Sequence, residues 1–427
     1  MKADLIVKTE SGLVEGIYSA DKKCRIFKGV PYAQPPVGNL RFAPPQPKKG
    51  WIGVRPVKTF APKAFQEDIT REGFYAKEFY SGEPEHMSED CLYLNIWTPT
   101  EKTEEKLPIL MWIHGGALMH GSGAEVEFDG EGFARKGVIL VTVNYRVGAL
   151  GFFCNPDLEK ENPQGISGNY GILDQIAALD WIYCNIENFG GDKNRITVAG
   201  QSAGCMSAQL MASSPLTKGK MRGAILQSGG GIPGFWSEMK KETQQEVSQK
   251  LMKHLGAKTI ADMRRLSPEA IAYGAYEIND SDGMIWLPVI DGKVIPAHPV
   301  QAATEGMIHK IPYMIGSTKN EMGAEIACTL AESAVNFAIN NSKLDMPDVY
   351  VYRFDRELPG DNAGAFHSAE LWYEFETLSH CWRPFEQKDY QTAQRFSTAI
   401  AEFVATNKAG SDWQRCTEEN RFVKHFD

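Results

Sequence analysis

Apolar residues occur along this chain in short, nearly uninterrupted runs that are separated by glycine-rich or polar segments. Continuous runs of this kind are typical of parallel strands that are buried on both faces of a sheet. A further strand is expected after a turn within residues 88–99. The runs predict strands at residues 107–114, 138–145, 195–199, 223–228, 311–317 and 349–354, the last two being the final strands of the sheet.

Between two of these strands the apolar positions change to a helical period. A strand, a helix and a second strand in this order form a right-handed crossover unit, which predicts an α/β protein. Further helices are expected near residues 237–254, 366–380 and 388–406, and the aperiodic segment 61–87 is expected to be a loop over one edge of the sheet. The residues that carry the helical spacing are Ile172, Ile176, Leu179, Tyr183 and Ile186.

The composition is that of a globular protein. The 427 residues contain no repeat and no linker-like tract, so we expect a single domain over residues 1–427 with helical excursions. Hydrophobic residues make up 43% of the chain, and the formal net charge of −9 argues against a nucleic-acid partner. No apolar run approaches the roughly 18 residues of a membrane span, and the start of the chain is too charged for a signal peptide. We therefore expect a cytoplasmic protein without a membrane partner.

The eight cysteines show neither a C-x-x-C pair nor the spacing of a metal finger. The H-E-x-x-H and P-loop motifs do not occur in the sequence either. Buried or free thiols are the simplest interpretation of the cysteines. We expect no metal and no organic cofactor.

The strongest chemical motif is Gly-Gln-Ser-Ala-Gly at residues 200–204. It follows the β-branched run at 195–199, and small residues compatible with a helix come after it. A strand, a tight glycine-flanked turn and a helix are the setting of a nucleophile elbow, which exposes a serine hydroxyl. We therefore predict that Ser202 is a nucleophile and that the following backbone N–H, of Ala203, points at a developing oxyanion.

A serine nucleophile needs a histidine base that is oriented by a carboxylate. In folds that contain a nucleophile elbow, the acid precedes the histidine along the chain. Glu321 follows the strand at 311–317, and His367 follows the strand at 349–354. These two residues are the best candidates for the acid and the base. Glu325, Asp355 and Asp361 remain alternatives for the acid.

A second supplier of oxyanion donors is expected in the glycine-rich segment at 114–123. It follows the strand at 107–114, and glycines let a backbone approach a substrate closely. His114 and His120 are expected to shape this loop and not to act as bases.

These stretches together resemble the type-B carboxylesterases of the α/β-hydrolase fold, a family that also includes the cholinesterases and the neuroligins. The resemblance extends over nearly the whole chain. It implies an α/β-hydrolase fold with a mostly parallel central sheet and helices on both faces. The motifs that carry it are residues 27–33, 89–95, 114–116, 169–175, 200–204, 288–292 and 364–367.

The resemblance also implies roles for individual residues. Ser202 would be the nucleophile, Glu321 the acid and His367 the base. The oxyanion hole would be formed by the amides of Gly116, Ala117 and Ala203. Phe235, Trp236 and Trp286 would border the substrate pocket.

Several positions depart from the family pattern. Ala117 stands where many relatives have a third glycine, and Ala64 stands where secreted relatives carry the disulfide partner of Cys91. No tryptophan occurs between Trp51 and Trp97, and Gln201 replaces the usual acidic residue, so capture of a choline group is not expected. The acid and the base are only 46 residues apart, which implies that the helices over the site are trimmed and that the site is more open.

The sequence therefore predicts a serine carboxylic-ester hydrolase that acts on small to medium, aryl or otherwise bulky esters through an acyl-enzyme. Two other functions stay open. The chain could be a non-catalytic binding module of the same fold, or it could be an acyltransferase, because the acyl-enzyme is common to hydrolysis and transfer. The oligomeric state is not indicated by the sequence.

Overall fold

The computed structural model describes residues 4–67, 73–80, 86–100, 106–279 and 284–427. The strands are β1 (Ile6–Thr9), β2 (Gly12–Glu15), β3 (Ile17–Tyr18), β4 (Cys24–Pro31), β5 (Val54–Pro56), β6 (Tyr93–Pro99), β7 (Leu107–Ile113), β8 (Ile139–Val143), β9 (Gly191–Gln201), β10 (Gly223–Gln227), β11 (Tyr313–Thr318), β12 (Val349–Phe354) and β13 (Val423–Phe426).

Helices connect these strands and flank the sheet. They are α1 (Phe74–Phe79), α2 (Glu131–Arg135), α3 (Gly148–Phe152), α4 (Pro156–Glu161), α5 (Tyr170–Asn185), α6 (Ala203–Ser213), α7 (Lys241–His254), α8 (Ile260–Arg265), α9 (Pro268–Glu277), α10 (Pro299–Thr304), α11 (Ala324–Lys343), α12 (Leu371–Glu374) and α13 (Gln387–Thr406). Among the described residues, no helix combines the length and the apolar character that crossing a membrane requires.

Ten strands form one large sheet in the order β13-β12-β11-β10-β9-β7-β8-β6-β4-β3. The seven strands from β7 to β13 pair in parallel. Strands β6, β4 and β3 continue the sheet in antiparallel pairing at one edge. The mostly parallel α/β sheet that the apolar runs predict is therefore confirmed.

The central strand β7 shows why the predicted strands are apolar throughout. Ile109 and Met111 belong to a hydrophobic cluster on one face of the sheet, together with residues of α5 and α6. Leu110 and Trp112 belong to a second cluster, together with residues of α2, α12 and α13. Because successive side chains of a strand point to opposite faces, a sheet covered on both sides needs apolar residues at every position.

Helices α1, α11 and α12 and strand β13 are among the elements that differ from the sequence-based expectations. Helix α1 forms inside the segment 61–87, which is predicted as a loop; residues 68–72 and 81–85 of that segment lie outside the described residues. Strand β13 follows β12 in the sheet, so β12 is not the last strand. The 20-residue helix α11 is not predicted at all, whereas the helix expected near 366–380 is reduced to α12 and a 3-10 turn at Leu378–His380.

Candidate active site

Ser202 lies in the tight turn between β9 and α6. Its backbone has φ 57° and ψ −124°, a conformation that residues other than glycine rarely adopt and that costs on the order of 1–3 kcal/mol. The Ser202 N–H donates to the Gln227 carbonyl oxygen on β10 at 2.8 Å, which fixes the turn to the sheet. The geometry is that of a nucleophile elbow.

The two glycines of the motif are required by the close packing of this turn. A Cβ atom on Gly204 would lie 2.0 Å from the carbonyl oxygen of Ile113 on β7. A Cβ atom on Gly200 would lie 2.4 Å from the carbonyl carbon of Gly204. Any side chain at either position would therefore push α6 away from the sheet and displace Ser202.

Glu321 and His367 are in direct contact, although 46 residues separate them in sequence. The Oε2 atom of Glu321 lies 2.5 Å from Nδ1 of His367, and both side chains are buried. Burial alone would raise the pKa of Glu321, but the facing imidazole and hydrogen bonds from His367, the Thr318 N–H and the Ser228 hydroxyl outweigh it and lower the pKa. Glu321 is therefore a carboxylate that holds the imidazole with Nδ1 protonated.

A short bridge between two loops places this pair. Glu321 and Phe366 form an isolated parallel β-bridge beyond the ends of β11 and β12. The Asn320 N–H donates to the Ala365 carbonyl oxygen at 3.0 Å, and the Ala365 N–H donates to Oδ1 of Asn320 at 2.8 Å. The loops that carry Glu321 and His367 are thus held against each other by backbone hydrogen bonds and by the Asn320 side chain.

The other ring nitrogen of His367 faces the elbow. Its Nε2 atom lies 3.3 Å from Nε2 of Gln201, the residue directly before Ser202. The described residues include no hydrogen bond between the Ser202 hydroxyl and His367. The structure thus joins His367 to Glu321 and brings it to the serine turn, but the contact at the turn is made by Gln201.

The glycine-rich segment after β7 wraps over the serine turn. A Cβ atom on Gly115 would lie 3.3 Å from Cβ of Ser202. Gly116 and Ala117 have φ values of 93° and 55°, and the Gly116 carbonyl oxygen accepts from the N–H groups at 119 and 120. Within the described part of the chain, the amides of Gly116, Ala117 and Ala203 have no hydrogen-bond acceptor. They are thus free to bind an anionic oxygen.

Of the two histidines of this segment, His114 is buried and His120 is half-buried, and both are uncharged at neutral pH. Burial lowers the pKa of His114 to about 4, and the pKa of His120 to about 4 as well. The His114 ring stacks on Tyr145 with a centroid distance of 4.3 Å, and the Tyr145 hydroxyl donates to the His114 carbonyl oxygen. These contacts agree with the expectation that both residues shape the loop.

Among the described residues, no hydrogen bond or ion pair joins the alternative acids to His367. Asp355 pairs with Arg353 and His425, and Asp361 pairs with Arg383. Glu325 is an exposed residue in the first turn of α11.

Two buried carboxyl groups near the acid are not predicted from the sequence. The Ser228 hydroxyl oxygen lies 3.3 Å from Oε1 of Glu370, and Glu374 accepts a hydrogen bond from Nε2 of Gln227 at 2.7 Å. Burial, assisted by the charge of Glu321, raises the pKa of Glu370 well above its usual range, and burial raises that of Glu374 to about 8. Burial thus favours the protonated form of both groups, and Glu321 is the carboxylate of the cluster.

Helix α1 is a further neighbour of the base. The Tyr75 hydroxyl donates to the His367 carbonyl oxygen at 3.3 Å, and Phe74 packs edge-on against Phe366. Glu78 fixes the helix to a distant part of the chain, because its Oε1 atom lies 2.9 Å from Nε of Arg383. The partners of Glu78 lie about 300 residues away, so no local pattern could reveal this contact.

The three aromatic residues expected at the substrate pocket lie in different surroundings. Phe235 and Trp236 are half-buried on the loop after β10, and this loop passes the elbow at Gly229, where a Cβ atom would lie 2.5 Å from the Ser202 carbonyl oxygen. Trp286 is fully buried in a hydrophobic cluster, and its indole N–H donates to the Ala275 carbonyl oxygen. The contacts of Trp286 are thus those of a packing residue.

Known proteins share this fold and much of this sequence. A structure of PNB esterase superposes with a TM-score of 0.88 at 29% identity and covers 100% of this chain and 96% of its own. A carboxylesterase of Geobacillus stearothermophilus gives a TM-score of 0.82, also at 29% identity, and covers 99% and 96%. The chain thus has the α/β-hydrolase fold that the motifs imply.

Among curated proteins, the fumonisin B1 esterase of Sphingopyxis macrogoltabida is 39% identical over 318 residues, which are 74% of this chain and 56% of that protein. Liver carboxylesterase 1 of Oryctolagus cuniculus is 34% identical over 342 residues, or 75% and 58%. The chain thus spans a little over half the length of these relatives. The sequence profile of the carboxylesterase family matches residues 3–344, which include Ser202 and Glu321 but end before His367. The chain belongs to the carboxylesterase family.

Proposed function

We propose that this protein is a serine carboxylic-ester hydrolase that uses Ser202, His367 and Glu321. The observation that carries the proposal is the contact of His367 with Glu321 on one side and with the serine turn on the other. Membership of the carboxylesterase family and the esterase names of the relatives support the same activity.

Acylation begins when the Ser202 hydroxyl attacks the ester carbonyl carbon and His367 takes its proton at Nε2. This step requires the ring to turn from Gln201 towards the serine oxygen. The negative oxygen of the tetrahedral intermediate binds the amides of Gly116, Ala117 and Ala203. The intermediate then releases the alcohol, which receives the proton from His367, and an acyl group remains on Ser202.

Deacylation repeats the cycle with water as the nucleophile. His367 removes a proton from the water, the acyl–serine bond breaks, and Ser202 recovers its proton as the acid leaves. Glu321 keeps the imidazole oriented and stabilises its positive charge in both halves of the reaction. All of these groups belong to the chain, so the proposed mechanism has no step through a metal or a cofactor.

For the substrate we propose esters of small to medium size, including aryl and other bulky esters. Phe235 and Trp236 support this choice because they lie on the loop that passes the elbow. Trp286 would affect the pocket only indirectly, through the hydrophobic cluster to which it belongs.

The test of the function is Ser202→Ala, assayed with a small aryl ester. Loss of the nucleophile is expected to reduce turnover by at least about 10⁴-fold while the circular dichroism spectrum stays unchanged. A folded variant with full activity would contradict the assignment.

Labelling with a fluorophosphonate separates hydrolysis from the other two functions. A hydrolase and an acyltransferase are both labelled at Ser202, whereas a binding module is not. Turnover in the presence of competing alcohols or amines then distinguishes the two enzymes, since a transferase gives mainly the transfer product and a hydrolase mainly the free acid.

We also propose a cytoplasmic location. Ala64 and Cys91 line the same small cavity, at the place where the secreted relatives would form a disulfide. Cys91 is a buried free thiol, which suits a reducing compartment.

A further inference from the structure

The proposed mechanism gives no role to Gln201, although this side chain makes a direct contact with the base. Gln201 is the last residue of β9, and only 3% of it is exposed. Its Nε2 atom lies 3.3 Å from Nε2 of His367, and its Oε1 atom lies beneath Gly115, 3.3 Å from where a Cβ atom would be. The amide thus lies between the base and the segment that holds the free N–H groups.

The protonation of the ring determines what this contact does. Nδ1 of His367 donates its proton to Glu321, so Nε2 of the neutral ring carries a lone pair and accepts from the Gln201 amide. In the imidazolium form, Nε2 would carry a proton as well, and two N–H donors would face each other. The contact therefore stabilises the neutral ring, which is the form that acts as a base.

We propose that Gln201 is a positioning residue. In the resting enzyme its amide donates to Nε2 of His367, and because the amide is neutral, no negative charge lies next to this nitrogen. The inference rests on the proposed function only in that it takes His367 as the base. Because the amide is neutral, Glu321 is the carboxylate in contact with the ring. Imidazolium formed during the reaction is stabilised from the Nδ1 side alone and is repelled by Gln201 towards the reacting oxygen atoms.

Other ionisable groups around His367 do not replace Gln201 in this role. Glu321 holds Nδ1. Glu370, in the segment after the base, is kept protonated by burial. From α1, Tyr75 contacts the His367 carbonyl oxygen, and burial raises the pKa of Tyr75, so that it stays uncharged; Glu78 is paired with an arginine.

The first test compares the pH dependence of kcat/KM in the wild type, Gln201→Glu and Gln201→Met. Glutamate places a second carboxylate against the ring, so the pKa of the acidic limb should rise by about one unit or more. Methionine removes the donor without adding a charge, so the neutral ring loses a stabilising contact and the pKa of the acidic limb should rise, but less than in Gln201→Glu. An acidic limb that does not move in Gln201→Glu would overturn the proposal.

Gln175→Glu is the matched control. Gln175 is a fully buried glutamine on α5 whose amide donates to the Ser207 hydroxyl on α6, away from His367. The hydroxyl can donate to the new carboxylate in return. This variant places a carboxyl group in the interior without contact to the ring and should leave the acidic limb in place; an equal shift in both variants would show that the limb responds to any buried glutamate and not to a carboxylate against His367.

The second test does not depend on activity. The ¹⁵N NMR signals of His367 are measured as a function of pH in the Ser202→Ala variant and in the double variant Ser202→Ala with Gln201→Glu. The imidazole pKa should be higher in the double variant by about one unit or more. If Gln201→Glu does not fold, Ser202→Ala with Gln201→Met should shift the Nε2 signal of the neutral ring to higher frequency, because the nitrogen no longer accepts a hydrogen bond. An unchanged signal would overturn the inference. If the NMR result holds but the wild type hydrolyses no ester, the proposed function fails and the Gln201 contact stands.

Discussion

Three buried carboxyl groups at the candidate active site ionise in different ways because they have different partners. Glu321 accepts from the Thr318 N–H at 2.7 Å and faces His367, and these contacts hold its pKa below the ordinary value against the effect of burial. Within the described residues, one oxygen atom of Glu370 and one of Glu374 have no hydrogen-bond partner, and both pKa values are raised. A buried carboxyl group is thus charged only where several donors converge on it.

Glu374 is expected to make the protein less stable as the pH rises. Its pKa is about 8 in the folded protein and 4.5 ordinarily, so between these values the folded state keeps a proton that the unfolded chain has released. The free energy of unfolding then falls with rising pH, by up to about 1.4 kcal/mol per unit for one group. Glu374→Gln removes this contribution, and its amide oxygen can still accept from Gln227. Its stability relative to the wild type should therefore increase from pH 4.5 to pH 8 and be constant outside that window.

Urea unfolding at a series of pH values measures this difference. Glu269→Gln, a change at an exposed glutamate on α9, is the control and should give a curve parallel to that of the wild type. A parallel curve for Glu374→Gln would show that Glu374 is ionised in the folded protein.

The contact between acid and base depends on two loops and not on the strands alone. Strands β11 and β12 end at Thr318 and Phe354, and the chain after β12 must return to meet the acid loop. The bridge between Glu321 and Phe366 and the two hydrogen bonds of Asn320 to Ala365 make that connection.

Removal of the Asn320 side chain should loosen the proposed catalytic pair, Glu321 and His367, without unfolding the protein. In Asn320→Ala the Ala365 N–H loses its acceptor, and the His367 loop gains freedom relative to Glu321. We expect kcat for an aryl ester to fall about tenfold, with a smaller change in KM, because misplacement of the base affects the transition state more than binding.

Asn340→Ala is the matched control for this experiment. The Asn340 side chain donates to the Ala303 carbonyl oxygen at 2.8 Å, so it also binds a backbone group, but on α11 and α10. This variant should lose some stability and keep its kcat. Equal kcat values for both variants would contradict a positioning role for Asn320.

The elements that the sequence predicts well are those with a local signal. The strands from β7 to β12 are recognised because their apolar runs are buried on both faces, and the elbow is recognised because Gly200 and Gly204 are required by close packing. These features also order the proposed nucleophile, acid and base along the chain. They indicate that Glu321 and His367 come together beside the turn at Ser202, and the structure shows that contact, whereas the catalytic roles of the three residues stay a proposal.

The elements that the sequence misses are held by distant partners or by weakly apolar faces. Helix α11 buries Ser333, Ala334, Ala338 and Asn341 beside a few large residues, so its helical period is faint. Strand β13 fully buries only one of its four residues and is held in the sheet by pairing with β12. Helix α1 is fixed by the Glu78–Arg383 pair, and the Gln201 contact with His367 spans 166 residues. None of these contacts leaves a pattern within a short window.

In the part of the chain that the structure describes, two hydrophobic cores lie on opposite faces of the ten-stranded sheet. One core contains the packing of α5 and α6, and the other that of α2, α12 and α13. The central strand β7 contributes alternate residues to each core, and it also leads into the segment 114–123 beside the elbow. If the chain is a single domain, neither core should be able to unfold while the other stays intact.

Truncation of neighbouring residues on β7 tests this cooperativity. Leu110 and Met111 are both fully buried, and they point into different cores. Leu110→Ala and Met111→Ala should each reduce the free energy of unfolding by about 2–5 kcal/mol, since each leaves a cavity in a close-packed interior. Leu216→Ala is the control, because Leu216 is an exposed residue and its truncation should cost less than about 0.5 kcal/mol.

Denaturant unfolding, followed by tryptophan fluorescence and by circular dichroism, shows whether the two cores unfold together. Each core contains tryptophans, such as Trp286 in one and Trp112 in the other. A single domain predicts that both probes change together and that both variants shift the same transition to lower denaturant. Two separate transitions, each shifted by only one of the variants, would show that the two faces of the sheet unfold independently. In that case the serine turn, which is packed between β7 and β10, would lose its support in two steps, and activity should disappear with the first.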